Sequence, residues 1–444
     1  MRIKKDILYR TLSYFFLIAA FLLEITFLKV ICFFCFLYFF ISISRSYIKN
    51  NLNYYFLLAL ATFYFIGSID YGIVLEYNQR EISYVSRIAV VLFFMVYHSL
   101  MTSSYDVSIN INALRTDLKN RNFNHNLLFF INVVSIAINI AVIAYVISIL
   151  GKYTWGDEYR RVLGRVIPGE FTVFSLLVII LFHYNTLFIL RSKSKTKFYY
   201  YIFNLLIVLQ VFLNSSRSSF VFLFGPSLLL FFLIKGKTVF KLKYLIIGIT
   251  LLALSSFWGY YRLMNRPKLD FAKIVRQTGF PEEYIVFYDA VVTFRGSVEI
   301  YNKVVTKDVS PEYGSFLIRP INQLFNKGEL GPAQHVARKY VGRTYDSALP
   351  PTLVGGFYID FRLLGCIIGP LLMLFLFHFF KTNFNILAYA LGYTYLITYY
   401  VISIYGNFFN NIGFPLTLVI YIGISFFLFT KFKCNITGLL GRKI

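Results

Sequence analysis

The feature that constrains this chain most is a series of apolar segments, each close to the length needed to cross a lipid bilayer. A helix needs about 20 apolar residues for this, because backbone amides inside the hydrocarbon must find their partners within the segment. The sequence is 58% hydrophobic and only 14% charged, whereas an ordinary soluble domain has about 25% charged residues. It therefore predicts an all-α, polytopic integral membrane protein.

About twelve such segments are present, and most of them are joined by short links. One link differs, since a polar stretch of about ninety residues follows the ninth segment. The chain is thus expected to comprise transmembrane helices 1–9 (residues 1–260), a large loop with short helices (261–351), and helices 10–12 with a tail (352–444). The predicted spans are Ile7–Leu23, Phe27–Ile43, Tyr54–Leu75, Ile88–Leu100, Leu127–Leu150, Phe171–Leu190, Phe198–Leu213, Phe220–Ile234, Leu242–Tyr260, Leu353–Phe380, Ile386–Ile404 and Phe414–Phe429.

Lysine and arginine residues are concentrated in every second link, beginning before the first segment. Cytoplasmic loops near helix ends carry such an excess of positive charge. The alternation therefore predicts an even number of spans, both termini in the cytoplasm and the large loop on the outer face. No cleavage site follows the first apolar segment, so this helix is expected to remain as an anchor. The basic links include Lys4, Arg45, Arg115, Lys193, Lys237, Lys381 and Lys431.

The net charge of +24 does not indicate a nucleic-acid partner, because the basic residues are divided between the cytoplasmic links and the outer loops. The four cysteines and five histidines show no spacing typical of a metal site or a disulfide framework. The sequence also lacks a P-loop and the glycine pattern of a dinucleotide-binding domain. We therefore expect no ATP, metal or other cofactor.

Positive charge on the outer face is not explained by membrane insertion. Arg160, Arg161 and Arg165 lie in a short outer link, together with acidic residues that are typical of a solvated turn. Arg217 lies between two apolar segments and is flanked by Ser216 and Ser218. A charge at such a place is costly and often functional, and a guanidinium beside hydroxyls suits a phosphate or pyrophosphate.

The large loop carries further candidates. A helix is predicted from Pro281 to Thr293, and Pro332 favours a second short helix in which His335, Arg338 and Lys339 would share one face. A histidine beside cations can serve as a general base or bind a sugar hydroxyl. Other polar candidates in the loop are Asp289, Arg319, Arg343 and Asp346, with Tyr313, Tyr340 and Tyr345 as platforms for sugar rings.

Transfer of a sugar from a lipid pyrophosphate fits these features. The donor already has a good leaving group, so an enzyme needs arginines to stabilise developing charge and one base to deprotonate the acceptor hydroxyl. The expected partners are therefore lipid-linked oligosaccharides and the bilayer itself.

The turn at 215–218 (Ser-Ser-Arg-Ser), the large outer loop, and the stretch Leu349–Phe361 with Gly365 and Gly369 resemble Wzy-type O-antigen polymerases. This resemblance implies a class C glycosyltransferase-like fold in the bacterial inner membrane, with the large loop periplasmic. It implies polymerisation of undecaprenyl-pyrophosphate-linked repeat units, and a chain-length regulator in the same membrane. Functional arginines of that family lie in two periplasmic loops. The corresponding loops of this chain contain Arg160, Arg161, Arg165, Arg319, Arg338 and Arg343.

From the residues and the resemblance we expect Arg217, Arg343 and Arg338 to act on the carrier phosphates, with His335 and then Asp289 as the base. The expected substrate-binding residues are Arg160, Arg161, Arg165, Arg319, Ser216, Ser218, Tyr345 and Asp346, the last also a base candidate.

Three alternatives remain open. A lipid-linked oligosaccharide flippase would have a similar number of helices, but it usually lacks so large an outer loop and carries charges along its central cavity, whereas these spans are nearly free of charge. An O-antigen ligase would transfer the glycan to the lipid A core. A peptidoglycan polymerase of the shape, elongation, division and sporulation type is the third.

Overall fold

A computed structural model describes residues 2–47, 50–71, 81–103, 105, 107–120, 124–150, 172–191, 196–213, 217–235, 279–325, 330–343, 349–406, 420–421, 423–424 and 428. The described residues form helices and no strand, which confirms the predicted all-α class. Apolar side chains dominate these helices, and a helix is the element in which a continuous apolar run can bond all its own backbone groups.

The helices fall into an N-terminal series and a series that begins within the predicted loop. The first comprises α1 (Arg2–Leu22), α2 (Thr26–Tyr47), α3 (Asn53–Ser68), α4 (Tyr84–Ser103), α5 (Ile111–Asn120), α6 (His125–Leu150), α7 (Thr172–Arg191), α8 (Lys197–Leu213) and α9 (Arg217–Lys235). The second comprises α10 (Tyr288–Thr306), α11 (Ser315–Phe325), α12 (Pro332–Val336), α13 (Leu353–Phe361), α14 (Gly365–Asn383) and α15 (Ile386–Tyr405). A 3-10 helix, Glu282–Phe287, precedes α10, and a π turn, Ala337–Val341, follows α12.

Within the described residues, five segments are long and apolar enough to cross a membrane. They are Thr26–Arg45, Tyr84–Ser103, His125–Ile149, Leu353–Asn383 and Ile386–Tyr405. Three shorter apolar helices run over Leu177–Arg191, Lys197–Val211 and Val221–Lys235. The span predicted over 242–260 and most of the one over 414–429 lie outside the described residues.

The chain packs into two compact units. Unit 1 comprises Met1–Ile111, Leu228–Asn383 and Tyr393–Phe414, and unit 2 comprises Asn112–Ser227, Phe384–Gly392 and Pro415–Ile444. In unit 2, amides inside the helix group bond to one another. The side chains of Asn132 and Asn185 exchange hydrogen bonds of 2.9 and 2.8 Å, and Asn185 also donates to Asn204. Such bonds satisfy polar groups that would be costly to bury alone.

In unit 1, helix α10 packs against α3 and α4, although it belongs to the predicted large loop. A buried ion pair of 2.8 Å joins Arg295 and Glu299 on α10. Arg295 also donates to the carbonyl oxygens of Gly67 and Ile69 at the end of α3. Part of the loop is therefore built into the helix group, and it holds the residues that follow it in a fixed place.

Helices α13 and α14 approach closely at two glycines, and this contact gives a stability prediction. A Cβ added at Gly365 would clash with the backbone carbonyl of Phe357, whereas one at Gly369 would lie 2.7 Å from the rings of Phe357 and Phe93. Overpacking typically costs about 1–3 kcal/mol. We expect Gly365→Ala to cost more than Gly369→Ala, because a backbone atom cannot rotate away.

The melting temperature of each variant in detergent, followed by circular dichroism, measures this cost. Gly423→Ala is the matched control, because no described atom lies within 4 Å of its added Cβ. Equal melting temperatures for Gly365→Ala and the control would show that α13 and α14 do not meet as described.

Candidate functional site

Glu312, in the segment between α10 and α11, lies at the centre of a polar cluster. Its Oε1 accepts hydrogen bonds from His335 Nε2 (2.7 Å), Lys339 Nζ (2.7 Å) and the hydroxyl of Tyr340 (3.3 Å). The guanidinium of Arg319 approaches the other oxygen, with 3.5 Å between Nη2 and Oε2. We call these five residues the Glu312 cluster. The Glu312 side chain is only 6% exposed, so little water competes for its oxygens.

The local backbone explains why three donors converge on one oxygen. Helix α12 begins at Pro332, whose fixed φ suits the first helical position. After α12 the chain widens into the π turn, in which a backbone amide bonds to the carbonyl five residues back. This wider turn brings Lys339 and Tyr340 to the same side, and Gly342, with a φ of 79°, ends it. π turns occur frequently at functional sites.

A second carboxylate fixes the segment that carries Glu312. Asp360, fully buried near the end of α13, accepts backbone N–H bonds from Gly314 (2.9 Å) and Phe316 (3.0 Å) at Oδ1, and from Leu317 (2.9 Å) at Oδ2. These amides belong to the start of α11, where a helix has no partners of its own for its first N–H groups. Asp360 therefore caps α11 from a distant part of the chain and positions the residues just before it.

Strained backbone occurs close to both of these carboxylates. Among the described residues other than glycine, a positive φ occurs at Tyr313 (48°), Thr352 (71°) and Arg362 (54°). Tyr313 adjoins Glu312, and Arg362 lies two positions after Asp360. Such conformations cost on the order of 1–3 kcal/mol each and cluster at functional sites. The strain therefore independently marks this junction as a candidate site.

The ionisation of Glu312 determines which ring nitrogen of the neighbouring histidine faces it with a hydrogen. Burial raises this pKa, but the hydrogen bonds and charges of His335 and Lys339 outweigh burial and lower it to about 2. At neutral pH the carboxylate is therefore ionised and can only accept hydrogen bonds, so Nε2 of His335 must carry a hydrogen. In neutral His335, Nδ1 is then unprotonated, and no described residue bonds to it.

This pKa predicts how the stability of the folded loop depends on pH. The folded pKa of about 2 is lower than the ordinary value of 4.5, so the contribution of ionised Glu312 is complete above pH 4.5 and is lost as the pH falls towards 2. The contribution of ionised Glu312 to the free energy of unfolding is at most about 3 kcal/mol. We expect Glu312→Gln to lower the free energy of unfolding at pH 7 and to have progressively less effect below pH 4.5.

Denaturant titration in detergent at several pH values measures this difference between the variant and the wild type. Glu283→Gln is the control, because Glu283 is an exposed glutamate of the same loop. A Glu312→Gln effect that is the same at pH 7 and near pH 2 would contradict an ionised, cation-bound carboxylate.

The Glu312 cluster combines a base with positive charge. An imidazole held by a carboxylate at one nitrogen presents its other nitrogen to a hydroxyl, which is the arrangement of a general base with an orienting partner. Arg319 and Lys339 together exceed the charge of Glu312 by one, so the cluster also favours an anion.

The structure brings only some of the predicted site residues together. His335 and Arg319 belong to the Glu312 cluster, and Arg343 follows the π turn, with its backbone N–H bonded to Ala337 O (2.9 Å). Arg338 lies in the π turn and is exposed. The residues that lie outside the described part of the chain are Arg160, Arg161, Arg165, Ser216, Tyr345 and Asp346.

Three further predicted residues are described only by their backbone. Arg217 and Ser218 are the first residues of α9, and Asp289 is the second residue of α10. Of the tyrosines expected to serve as sugar platforms, Tyr313 is 79% exposed, whereas Tyr340 is buried. The expectation for Tyr340 was wrong, because its hydroxyl binds Glu312 and its ring is covered.

Sequence reasoning did not single out Glu312 or assign a role to Asp360. One signal was present for Glu312, which is an acidic residue in a loop whose other candidates are mostly basic. Asp360 lies in the stretch on which the family resemblance rests, but nothing local indicates that it caps a helix more than forty residues earlier.

No protein-family model, curated protein or solved structure matches this chain. The residues and geometry of the Glu312 cluster, together with the sequence patterns, therefore carry the functional inference.

Proposed function

We propose that this chain is a lipid-linked oligosaccharide polymerase. It transfers a growing polysaccharide from undecaprenyl pyrophosphate to a new lipid-linked repeat unit and so builds O-antigen, with no metal or other cofactor. The observation that carries this proposal is the 2.7 Å contact between Glu312 Oε1 and His335 Nε2. An imidazole oriented by a carboxylate is well suited to take the proton of an acceptor hydroxyl.

The proposed setting is the bacterial inner membrane. In this proposal the chain has about twelve spans, with both termini in the cytoplasm and the large loop in the periplasm. The five apolar helices that are long enough to cross a bilayer support a membrane location. A chain-length regulator in the same membrane is the expected protein partner.

In the proposed reaction, Nδ1 of His335 takes the proton of a hydroxyl on the new repeat unit. The hydroxyl oxygen attacks the anomeric carbon of the donor sugar and forms the glycosidic bond. The bond from that carbon to the pyrophosphate oxygen breaks, and undecaprenyl pyrophosphate leaves with its electron pair. Arg338 and Arg343 would stabilise the charge that develops on the leaving group. Arg217 is the further residue that the sequence predicts to act on the carrier phosphates.

The test is reconstitution of the full chain in nanodiscs with undecaprenyl-pyrophosphate-linked repeat units, and separation of the products by gel electrophoresis. We expect a ladder of glycan lengths from the wild type and none from Arg217→Ala. Lys235→Ala is the matched control, since it removes a cation from the last turn of the same helix, and we expect it to keep the ladder.

Other products would point to the alternatives. Movement of the single repeat unit across a bilayer, without a ladder, would identify a flippase. Attachment of glycan to lipid A core, without growth on the lipid carrier, would identify an O-antigen ligase. Either result would overturn the proposed polymerase.

A further inference from the structure

Unit 1 contains a second polar site, a cavity of about 860 Å³. It lies where α2 and α4 begin and α3 ends, and none of the residues of the Glu312 cluster lines it. Its walls carry hydroxyl and amide groups, including those of Ser68, Ser83 and Asn302. Such a lining can bind the polar part of a ligand.

Lys29, in the first turn of α2, is the most informative group in this cavity. It is only 8% exposed, and no described residue forms a hydrogen bond or an ion pair with its side chain. Burial of an ammonium group is costly unless it is paired. Glu24 is the described carboxylate that acts on this ammonium group, at longer range than an ion pair, so an anion that enters the cavity can pair with it.

Two further features of the cavity favour an anion. Arg87 also lines it, and the buried Nε of Arg87 has no hydrogen-bond partner among the described residues. Thr26 and Tyr84, the first residues of α2 and α4, both border the cavity. A helix N-terminus carries partial positive charge and free N–H groups, which attract phosphate.

Among the described residues that line the cavity, the remaining charged groups are acidic and more exposed. Glu24, Asp70 and Glu81 are all exposed, in contrast to buried Lys29 and half-buried Arg87. Glu24 accepts a bond of 2.6 Å from the Tyr84 hydroxyl, which fixes one carboxylate at this rim. The cavity thus has cations inside and carboxylates at its edge.

We propose that this cavity binds a phosphate ester that also bears a primary amine, with the phosphate on Lys29 and Arg87 and the ammonium group on the rim carboxylates. The chemistry is that of the aminoethyl phosphate group, which occurs as the head group of a bilayer lipid and as a soluble ester. Both helices that begin at the cavity include candidate membrane spans. This site is independent of the glycosyl transfer proposed above.

Binding to the full-length protein in detergent tests this site, with short-chain phosphatidylethanolamine, short-chain phosphatidylglycerol and soluble glycerophosphoethanolamine as probes. We expect tighter binding of the phosphatidylethanolamine than of the phosphatidylglycerol. Lys29→Met should weaken both by about tenfold or more, because a buried charge-assisted bond is lost. Glu24→Gln, a change at the exposed rim, should reduce the preference for the amine.

Arg45→Met is the matched control, because Arg45 is an exposed cation at the other end of α2. We expect it to leave both affinities unchanged. Equal affinity of the wild type for the two lipids would overturn recognition of the amine, and unchanged affinity in Lys29→Met would overturn the phosphate site. Tighter binding of the lipid than of glycerophosphoethanolamine would assign the site to a head group, whereas equal binding would assign it to a soluble ester.

Discussion

Replacement of His335 with glutamine is expected to lower the rate of glycan growth by about 10²–10⁴-fold. Glutamine can still donate a hydrogen bond to Glu312, so it retains the contact that is 2.7 Å long in the wild type. It has no nitrogen that can take a proton at neutral pH. A decrease in the rate would therefore reflect the loss of the base and not a change in the packing of the loop. Consumption of the lipid-linked repeat unit by protein in nanodiscs measures the rate.

His378→Gln is the control for this experiment, since His378 is an exposed histidine on α14 outside the Glu312 cluster. We expect it to retain the wild-type rate. Glu312→Gln should also lower the rate, and it should shift the pH dependence, because the charge that orients the imidazole is removed. A His335→Gln rate within about twofold of the wild type would exclude His335 as the base.

Truncation of Asp360 is expected to have the largest effect on stability. Asp360→Ala leaves the N–H groups of Gly314, Phe316 and Leu317 without their acceptor. A buried donor that loses its partner costs about 1–3 kcal/mol. The total should therefore reach several kcal/mol, and the segment that carries Glu312 should separate from α13. Denaturant titration in detergent measures the free energy of unfolding.

Asp360→Asn provides a graded comparison, because its amide oxygen can still accept the bonds of Gly314 and Phe316 while the bond from Leu317 is lost. We expect its cost to be less than half that of Asp360→Ala. Protease cleavage within residues 308–318 should increase in the same order. If the two variants were equally stable, the three backbone bonds would not hold this junction.

The helical class and the membrane-length segments could be predicted from the sequence, because hydropathy is a local property. The short helix after Gly331 could also be predicted, since Pro332 favours a helix start, and the structure confirms it over Pro332–Val336. The helix predicted to end at Thr293 instead continues to Thr306. The polar residues in the second half of this helix are typical of a loop. They can nevertheless be buried, because Arg295 and Glu299 pair with each other.

The Glu312 cluster could be predicted only in part. His335, Arg319 and Lys339 were found in the sequence because basic residues are unusual in an outer loop. Their acceptor lies more than twenty residues before His335, and the contact depends on a π turn. It also depends on the capping of α11 by Asp360, which is a tertiary contact. Local sequence patterns indicate neither the π turn nor the capping of α11 by Asp360.

Photocrosslinking tests most directly the proposal that the Glu312 cluster binds the lipid-linked glycan. A repeat unit on undecaprenyl pyrophosphate, with a photoreactive diazirine on its first sugar, would be crosslinked to the full-length protein in nanodiscs and mapped by mass spectrometry. We predict crosslinks within residues 308–343 that an excess of unmodified substrate abolishes. Crosslinks confined to the helices of unit 2, with none in 308–343, would contradict the assignment of the site.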